Sequence, residues 1–323
     1  MQSLLIKNYM ISIITPTYNR ANSIKDTIQS LIHQKYGNWE LLIIDDGSSD
    51  NTEEILKEFM KADSRIKYYK RPQNRLKGAN ACRNIGIQYV EGDYVIFLDS
   101  DDCLPPDFLS DRTKFISNNS EFDLLVSSNS AIITKNLINI ENESLQDFFL
   151  KNFLAFHFPW KITEVMWRAK SIKDMRFDEN LQRFQDIDFH INILLNKKLR
   201  IVVDQGLINF YRNKDEGKYE KKEFINRVLY NYDFLYKKYL ELLEKPLRPD
   251  LYHSNRVLIK FLLKLKFIDD TNFNFWCDKI KADKNYPVKT KYILSYSLRI
   301  YRFLPMISGN FKNRLINKLI SYS

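Results

Sequence analysis

The sequence predicts an α/β fold: a mostly parallel sheet flanked by helices, followed by an α-helical C-terminal region. Three observations carry this. Over the first 130 residues, short apolar β-branched runs alternate with amphipathic segments about three turns long, the pattern of strands joined by crossover helices. Polar and acidic clusters follow those runs, where parallel sheets present ligand sites at the carboxyl ends of their strands. From about residue 215 the strand signal gives way to helical periodicity.

The elements follow in order. Ile11–Thr15 is a strand. Ser23–Gln34 is a helix with Ile24, Ile28, Leu31 and Ile32 on one face and Asn22 as its cap. Leu41–Ile44 is the second strand, and Asp50–Met60 a helix with Ile55, Leu56 and Phe59 inward. Ile66–Tyr69 is the third strand, Ala79–Val90 a helix, Tyr94–Leu98 the fourth strand. Asp107–Ile116 is a helix and Leu124–Ser127 a strand. Thereafter the alternation weakens. Glu164–Trp167, Ile201–Val203 and Leu207–Tyr211 read as short strands, Asp178–Asn180 as a turn and Asp186–Leu195 as a helix. Phe224–Leu243 and Leu251–Phe267 read as long helices. The division expected is 1–215 for the α/β domain and 216–323 for the helical region.

Three cysteines, Cys82, Cys103 and Cys277, with no CxxC spacing, argue against a disulfide framework or a zinc site and suit a reducing cytoplasm. The most apolar late stretch, Tyr292–Ser308, is interrupted by Arg299, Arg302 and Pro305, short of the ~18–20 uninterrupted apolar residues of a membrane span. No signal peptide is evident, so a cytoplasmic location is expected. Charge is uneven: residues 1–210 carry 26 Lys+Arg against 28 Asp+Glu, and residues 211–323 carry 24 against 12. Residues 279–323 hold ten basic residues and one acid, interleaved with Tyr, Phe, Leu and Ile. That pattern suits an anionic membrane surface, with a solvated face of a helical bundle or an oligomer contact as alternatives.

The densest chemical signal is Tyr94-Val95-Ile96-Phe97-Leu98-Asp99-Ser100-Asp101-Asp102. Carboxylates bunched at a strand end repel one another and resist burial. A bound cation explains them. Continued as an extended segment, the chain would aim Asp99 and Asp101 the same way. Oxygen ligands of this kind suit Mn²⁺ or Mg²⁺.

The stretches Ile13–Arg20, Ile43–Thr52, Ala81–Ile87 and Phe97–Asp102 together resemble the family 2 glycosyltransferases, with their GT-A, Rossmann-like nucleotide-sugar fold. The resemblance is strong over about 10–130, moderate over 130–215 and absent beyond. It implies an inverting enzyme, a UDP-sugar donor and a glycan or polyprenyl-linked oligosaccharide acceptor of bacterial surface polysaccharide synthesis, working at the inner face of the plasma membrane. It assigns nucleotide binding to Pro16, Tyr18, Asp46, Arg83 and Asp99: Tyr18 to stack on the base, Asp46 to accept its imide N–H, Arg83 to meet the diphosphate or the donor sugar (an ion pair with one of the Asp clusters is its plainer role), and Asp99 to bind ribose or to share the metal's shell through water. It makes Asp101 the metal ligand. Asp45 and Asp50 better suit a turn and a helix cap, and Asp102 a structural role as the cap of the following turn. In Phe184-Gln185-Asp186-Ile187-Asp188-Phe189 it makes Asp186 the general base; a helix cap is the plainer role. One departure stands out. Where many members carry a His after Tyr-Arg, this chain continues Arg212-Asn213-Lys214, so either Arg212 or Lys214 supplies that charge or the metal has only Asp101 and phosphates. Trp160, Trp167 and Phe148–Phe158 fall where the family's acceptor cleft forms; packing in the core is the plainer role.

Other classes fit less well. A glycosidase needs two carboxylates but not a nucleotide site. A dinucleotide oxidoreductase would need GxGxxG after the first strand, where this chain has Thr15-Pro16-Thr17-Tyr18-Asn19. Nucleic acid is not expected as a partner. A non-catalytic nucleotide- or glycan-binding scaffold with the same fold is the second reading.

Overall fold

The computed structural model describes residues 8–119, 121–128, 130, 133, 144–204, 206, 211–212, 222–243, 247–255, 258 and 270–292. It divides into two compact units, 1–150 with 158–214, and 151–157 with 215–323.

In the first unit a seven-stranded sheet runs β3-β2-β1-β4-β7-β6-β8. Its strands are β1 (Ile11–Thr17), β2 (Trp39–Asp45), β3 (Ile66–Lys70), β4 (Tyr94–Phe97), β6 (Leu124–Val126), β7 (Val165–Arg168) and β8 (Ile201–Val203). The first four are parallel, with Ile11 opposite both Trp39 and Tyr94. β7 runs antiparallel between β4 and β6, and β8 is parallel to β6. Every residue of β1, β2 and β4 is buried, because helices cover both faces. Alternation then sorts the side chains. Ile11, Ile13, Trp39, Leu41, Ile43, Tyr94 and Ile96 join one core with α1 (Ile24–Ile32), α2 (Thr52–Ala62) and α4 (Phe108–Asn118). On the opposite face Ile14 and Ile44 meet α3 (Ala79–Gln88), and Phe97 packs against Phe177 and Phe189. α5 (Leu145–Leu154), the short α6 (Ala169–Ile172) and α7 (Gln185–Asn196) complete the helices numbered in this part of the chain.

Pro16 sits inside β1 without breaking the sheet. Thr17 O accepts from Asp46 N on the β2 side, while Ile14 O accepts from Leu98 N on the β4 side. By strand alternation Pro16 faces the β4 side as well, and the β1–β4 ladder ends at Ile14–Phe97. No ladder bond is lost there, and beyond that pair β1 and β4 part. This is the sheet's topological switch point: β2 and β3 lie to one side of β1, β4 to the other.

Two expectations are corrected here. The chain does not continue extended past Leu98: Asp102 N donates to Asp99 O at 3.1 Å, closing a turn that sends Asp99 and Asp101 to different partners. Asp102 then enters β5 (Asp102–Cys103), fully buried and paired with Tyr211–Arg212, β9, rather than capping a turn.

The second unit contains α8 (Lys222–Leu242), α9 (Arg248–His253) and α10 (Asp270–Ala282), the last unforeseen in the sequence. Its core is rich in tyrosine: Tyr236 stacks on Tyr286 at 4.8 Å, and buried Asp233 accepts from Tyr286 Oη and Lys279 Nζ, both at 2.8 Å. Much of the helix expected over 251–267, and all of 293–323, lies outside the described residues. Among the described residues no helix is long and apolar enough to cross a membrane.

Candidate active site

The loops after β1 and β2 are stitched together. Asn19 takes a left-handed conformation, φ 51°. Its amide N–H donates to Ser48 Oγ at 2.9 Å, and its Oδ1 accepts from Ser49 N at 2.8 Å. Asp45 is spent on structure, accepting from Ser48 N and Oγ and from Tyr68 Oη. Asp50 accepts from Ala21 N and from Thr52 N and Oγ1, which holds its carboxyl below the usual range despite some desolvation. Asp45 therefore has the turn role foreseen for it, while Asp50 stands one residue before the helix cap, Asn51, and holds the first helical residue, Thr52, from there.

Tyr18 is left 42% exposed at the rim of the crevice, with Lys77 Nζ 3.8 Å from the ring centroid. Asp46 beside it is nearly buried. Its Oδ1 accepts from Arg71 Nε at 2.5 Å and from Gly78 N at 3.0 Å. Gly78 has φ 140°, a conformation other residues rarely adopt, and it brings that N–H to the carboxylate. Arg71, Lys77 and Gly78 were missed in the sequence. The signal was available for Arg71: it directly follows β3, whose carboxyl end points at the same crevice.

α3 presents Arg83 to the other wall. Arg83 is 6% exposed; its Nη2 meets Asp99 Oδ1 at 2.8 Å, and Nη1 donates to Gln185 Oε1 at 3.2 Å. Residues of α3 beside Arg83, and Arg75 before the helix, clamp the chain that leads into α7. Asn84 Nδ2 donates to Phe177 O and Glu179 Oε1, both at 2.9 Å, and its Oδ1 accepts from Phe177 N at 2.8 Å. Asn80 Nδ2 donates to Asp178 O and Leu181 O, and Arg75 pairs with Glu179. Phe184, at the helix cap, has φ 59°, a strained conformation for a bulky residue and of the kind that clusters at functional sites.

Asp186 lies in the first turn of α7, half-buried, two residues past that cap. It is therefore not the cap itself. Burial pushes its carboxyl above the usual range; Arg83 and the N–H groups of Ile187 and Asp186 oppose this, and the charge of Asp99 adds to it. Asp186, Arg83 and Asp99 are far apart in sequence and electrostatically coupled in the fold. Gln185, which was not foreseen as a site residue, provides the link.

Asp101 is about a quarter exposed and has Arg20 Nη2 at 3.6 Å, a loose contact that a cation could replace. Among the described residues no group of three or more His, Cys, Asp and Glu side chains is placed to hold a metal. The residues present fit a hard ion such as Mg²⁺ or Mn²⁺, which keeps waters and takes one or two carboxylates plus phosphate oxygens. They do not fit an all-protein cage. The side chain of Arg212, and all of Lys214, lie outside the described residues.

Trp160 and Trp167 do not line a cleft. They are 2% and 0% exposed and flank the buried ring of His190, at 5.4 and 5.9 Å. Burial drives the His190 pKa down to about 3. This is core packing behind α7, the plainer of the two roles.

The sequence profile of Glycosyl transferase family 2 matches residues 12–169, the segment from β1 to the end of β7. An uncharacterized glycosyltransferase of Haemophilus influenzae is 34% identical over 205 residues, covering 63% of this chain and 79% of that one. The Escherichia coli protein UDP-Glc:alpha-D-GlcNAc-diphosphoundecaprenol beta-1,3-glucosyltransferase WfgD is 40% identical over 158 residues, 48% of this chain and 54% of that one. Among solved structures, Staphylococcus aureus TarS 1–349 in complex with UDP-GlcNAc superposes with a TM-score of 0.56 at 22% identity, over 89% of this chain and 86% of that one, a likeness of fold. With the crevice at the switch point, its strand-end carboxylates and a family match extending along most of a relative's length, this chain belongs to glycosyl transferase family 2 and is a glycosyltransferase.

Proposed function

We propose that the protein is an inverting glycosyltransferase that moves a hexose or N-acetylhexosamine from a UDP-sugar to a hydroxyl of a glycan or lipid-linked oligosaccharide acceptor in bacterial polysaccharide synthesis. The observation that carries this reading is the Asp99–Arg83–Gln185 chain of contacts, which ties the end of β4 to the residue next to Asp186. Support for the donor and acceptor classes comes from the names of WfgD and of the TarS complex.

In this reading the uracil stacks on Tyr18 and gives its imide N–H to Asp46, which Arg71 and Gly78 hold in place, while Pro16 shapes the floor of the base site. Asp99 meets the ribose. Asp186 takes the proton of the acceptor hydroxyl as its oxygen attacks the anomeric carbon. The bond from that carbon to the diphosphate oxygen breaks, and its electron pair leaves with UDP. Because attack and departure occur on opposite faces, the anomeric configuration inverts. Arg83 faces the charge that grows on the leaving group. A Mn²⁺ or Mg²⁺ ion held by Asp101 and phosphate oxygens would supply Lewis-acid stabilisation there. We further infer that 1–215 is the catalytic domain. Residues 216–323 would serve association, with the basic 279–323 segment meeting anionic lipid at the inner face of the plasma membrane.

UDP release from a panel of UDP-sugars with Mn²⁺ tests the reading. At least one UDP-sugar should be turned over, and binding or turnover of none would overturn it.

A further inference from the structure

The second unit contains a cleft of about 330 Å³ between α8, α9 and the turn after α10, within the range of small-ligand sites. Its lining is almost wholly polar: Lys237, Glu241, Arg248, Tyr252, Lys284 and Asn285, with one aliphatic side chain. Three of these carry positive charge and one negative. Lys237 is fixed and balanced, its Nζ 2.8 Å from Asp283 Oδ2 and 3.2 Å from Asp233 Oδ1.

Arg248 is fixed differently. Its Nε donates to Leu243 O at 3.3 Å, at the end of α8. That bond uses one of five guanidinium N–H groups and sets the plane of the rest, and among the described residues the two Nη groups have no partner. Lys284 and the Tyr252 hydroxyl likewise have none among the described residues. The cleft thus offers an anchored guanidinium, an ammonium, a phenol and an amide, all of them able to donate, against a single carboxylate, Glu241. Donors converging from several directions, with hardly any apolar wall, suit a compact oxyanion and not a sugar ring or an acyl chain. A planar guanidinium fork beside a lysine matches phosphate in particular.

We propose that this cleft binds the phosphate group of an anionic ester, with Arg248 and Lys284 as its principal contacts and Glu241 limiting its affinity. The phosphate could belong to a lipid headgroup or to a soluble compound; the chemistry is shared. The site lies outside the nucleotide crevice and does not depend on the donor reading.

The test uses the full chain with saturating UDP, so that the nucleotide crevice is filled, and titrates inorganic pyrophosphate by calorimetry. Binding should weaken about tenfold in Arg248→Gln and in Lys284→Gln, as expected for loss of one charge-assisted contact, and tighten in Glu241→Gln. An unchanged melting temperature and UDP-sugar turnover would show that the fold and the donor site are intact. Flotation with phosphatidylglycerol against phosphatidylcholine vesicles separates the sources. Retention on the anionic vesicles alone, lost in the double variant, identifies a headgroup; pyrophosphate binding without retention identifies a soluble phosphate. If pyrophosphate does not bind in the presence of UDP, or if it binds the variants as tightly as the parent and no charge-selective retention occurs, the proposal is wrong.

Discussion

Asp186 is held under opposing influences. Burial raises its pKa, and Arg83 is the largest influence that lowers it. A carboxyl raised in the fold destabilises the native state at pH values where it is ionised, and that penalty shrinks as pH falls and the folded carboxyl takes up a proton. Asp186→Asn removes the buried charge. It should therefore leave the melting temperature at neutral pH equal or higher, while turnover falls by about 10²–10⁴-fold, the usual contribution of a general base. The acid limb of kcat/KM should lie above the ordinary carboxylate range. Arg83→Gln should move that limb to still higher pH, because the charge that favours ionised Asp186 is gone; an unmoved limb would separate Arg83 from the base. Asp101→Asn should raise the Mn²⁺ concentration needed for half-maximal turnover, and chelation should abolish turnover reversibly. The roles of Asp45 and Asp50 were legible because short-range turn chemistry is written in neighbouring residues. Arg71, Lys77 and Gln185 were not, since each acquires its role from a partner 25 or more residues away.

At the scale of elements, the strands and helices from β1 to α4, apart from the two-residue β5, were legible to within two or three residues. Their apolar periodicity is strong, and helices covering both faces of the sheet give it continuous apolar strands. Two things hid from this reading. The turn at Asp99–Asp102 interrupts what looks like a strand continuing into polar residues, since no glycine or proline marks it. α10, with Trp276, Cys277 and Ile280 buried, carries a helical stripe diluted by Asn and Asp. The contact of α3 with β1 and β2 rests on Gly86. A Cβ there would lie 2.4 Å from Ile14 Cγ2 and 3.2 Å from Ile44 Cδ1, both in the core. Gly86→Ala should cost about 1–3 kcal/mol of stability, the range for overpacking a filled site. Because α3 also holds Arg83 and Asn84, the same variant should lose turnover in excess of its lost stability. Urea unfolding and kinetics on the same preparation check both.

At the scale of the molecule, the charge asymmetry seen in the sequence has a partial structural account. Lys237 and Lys279 are absorbed by Asp233 and Asp283 inside the second unit. A deletion of 279–323 would therefore remove Lys279, Asp283 and Tyr286 from that core as well as the basic segment, and would test folding along with binding. Truncation after Tyr292 keeps this network. If the basic C-terminus meets anionic lipid, the truncated chain should float less well with anionic vesicles than the full chain at low salt, and the difference should shrink as salt rises. Equal flotation would remove the membrane role. The family was legible because three of its four motifs mark strand ends and the fourth lies in α3; the acceptor site was not, because Trp160 and Trp167, which suggested it, are core around His190.

The proposed mechanism depends most on Asp186 accepting the proton at a donor site built by Tyr18, Asp46, Arg83 and Asp99. The most direct measurement compares UDP affinity and single-turnover transfer for the parent chain and Asp186→Asn, with whichever UDP-sugar it accepts. UDP affinity should be unchanged and transfer reduced by about two orders of magnitude or more. Transfer at the parent rate, or a loss that tracks weakened UDP binding, would remove Asp186 from the role of base.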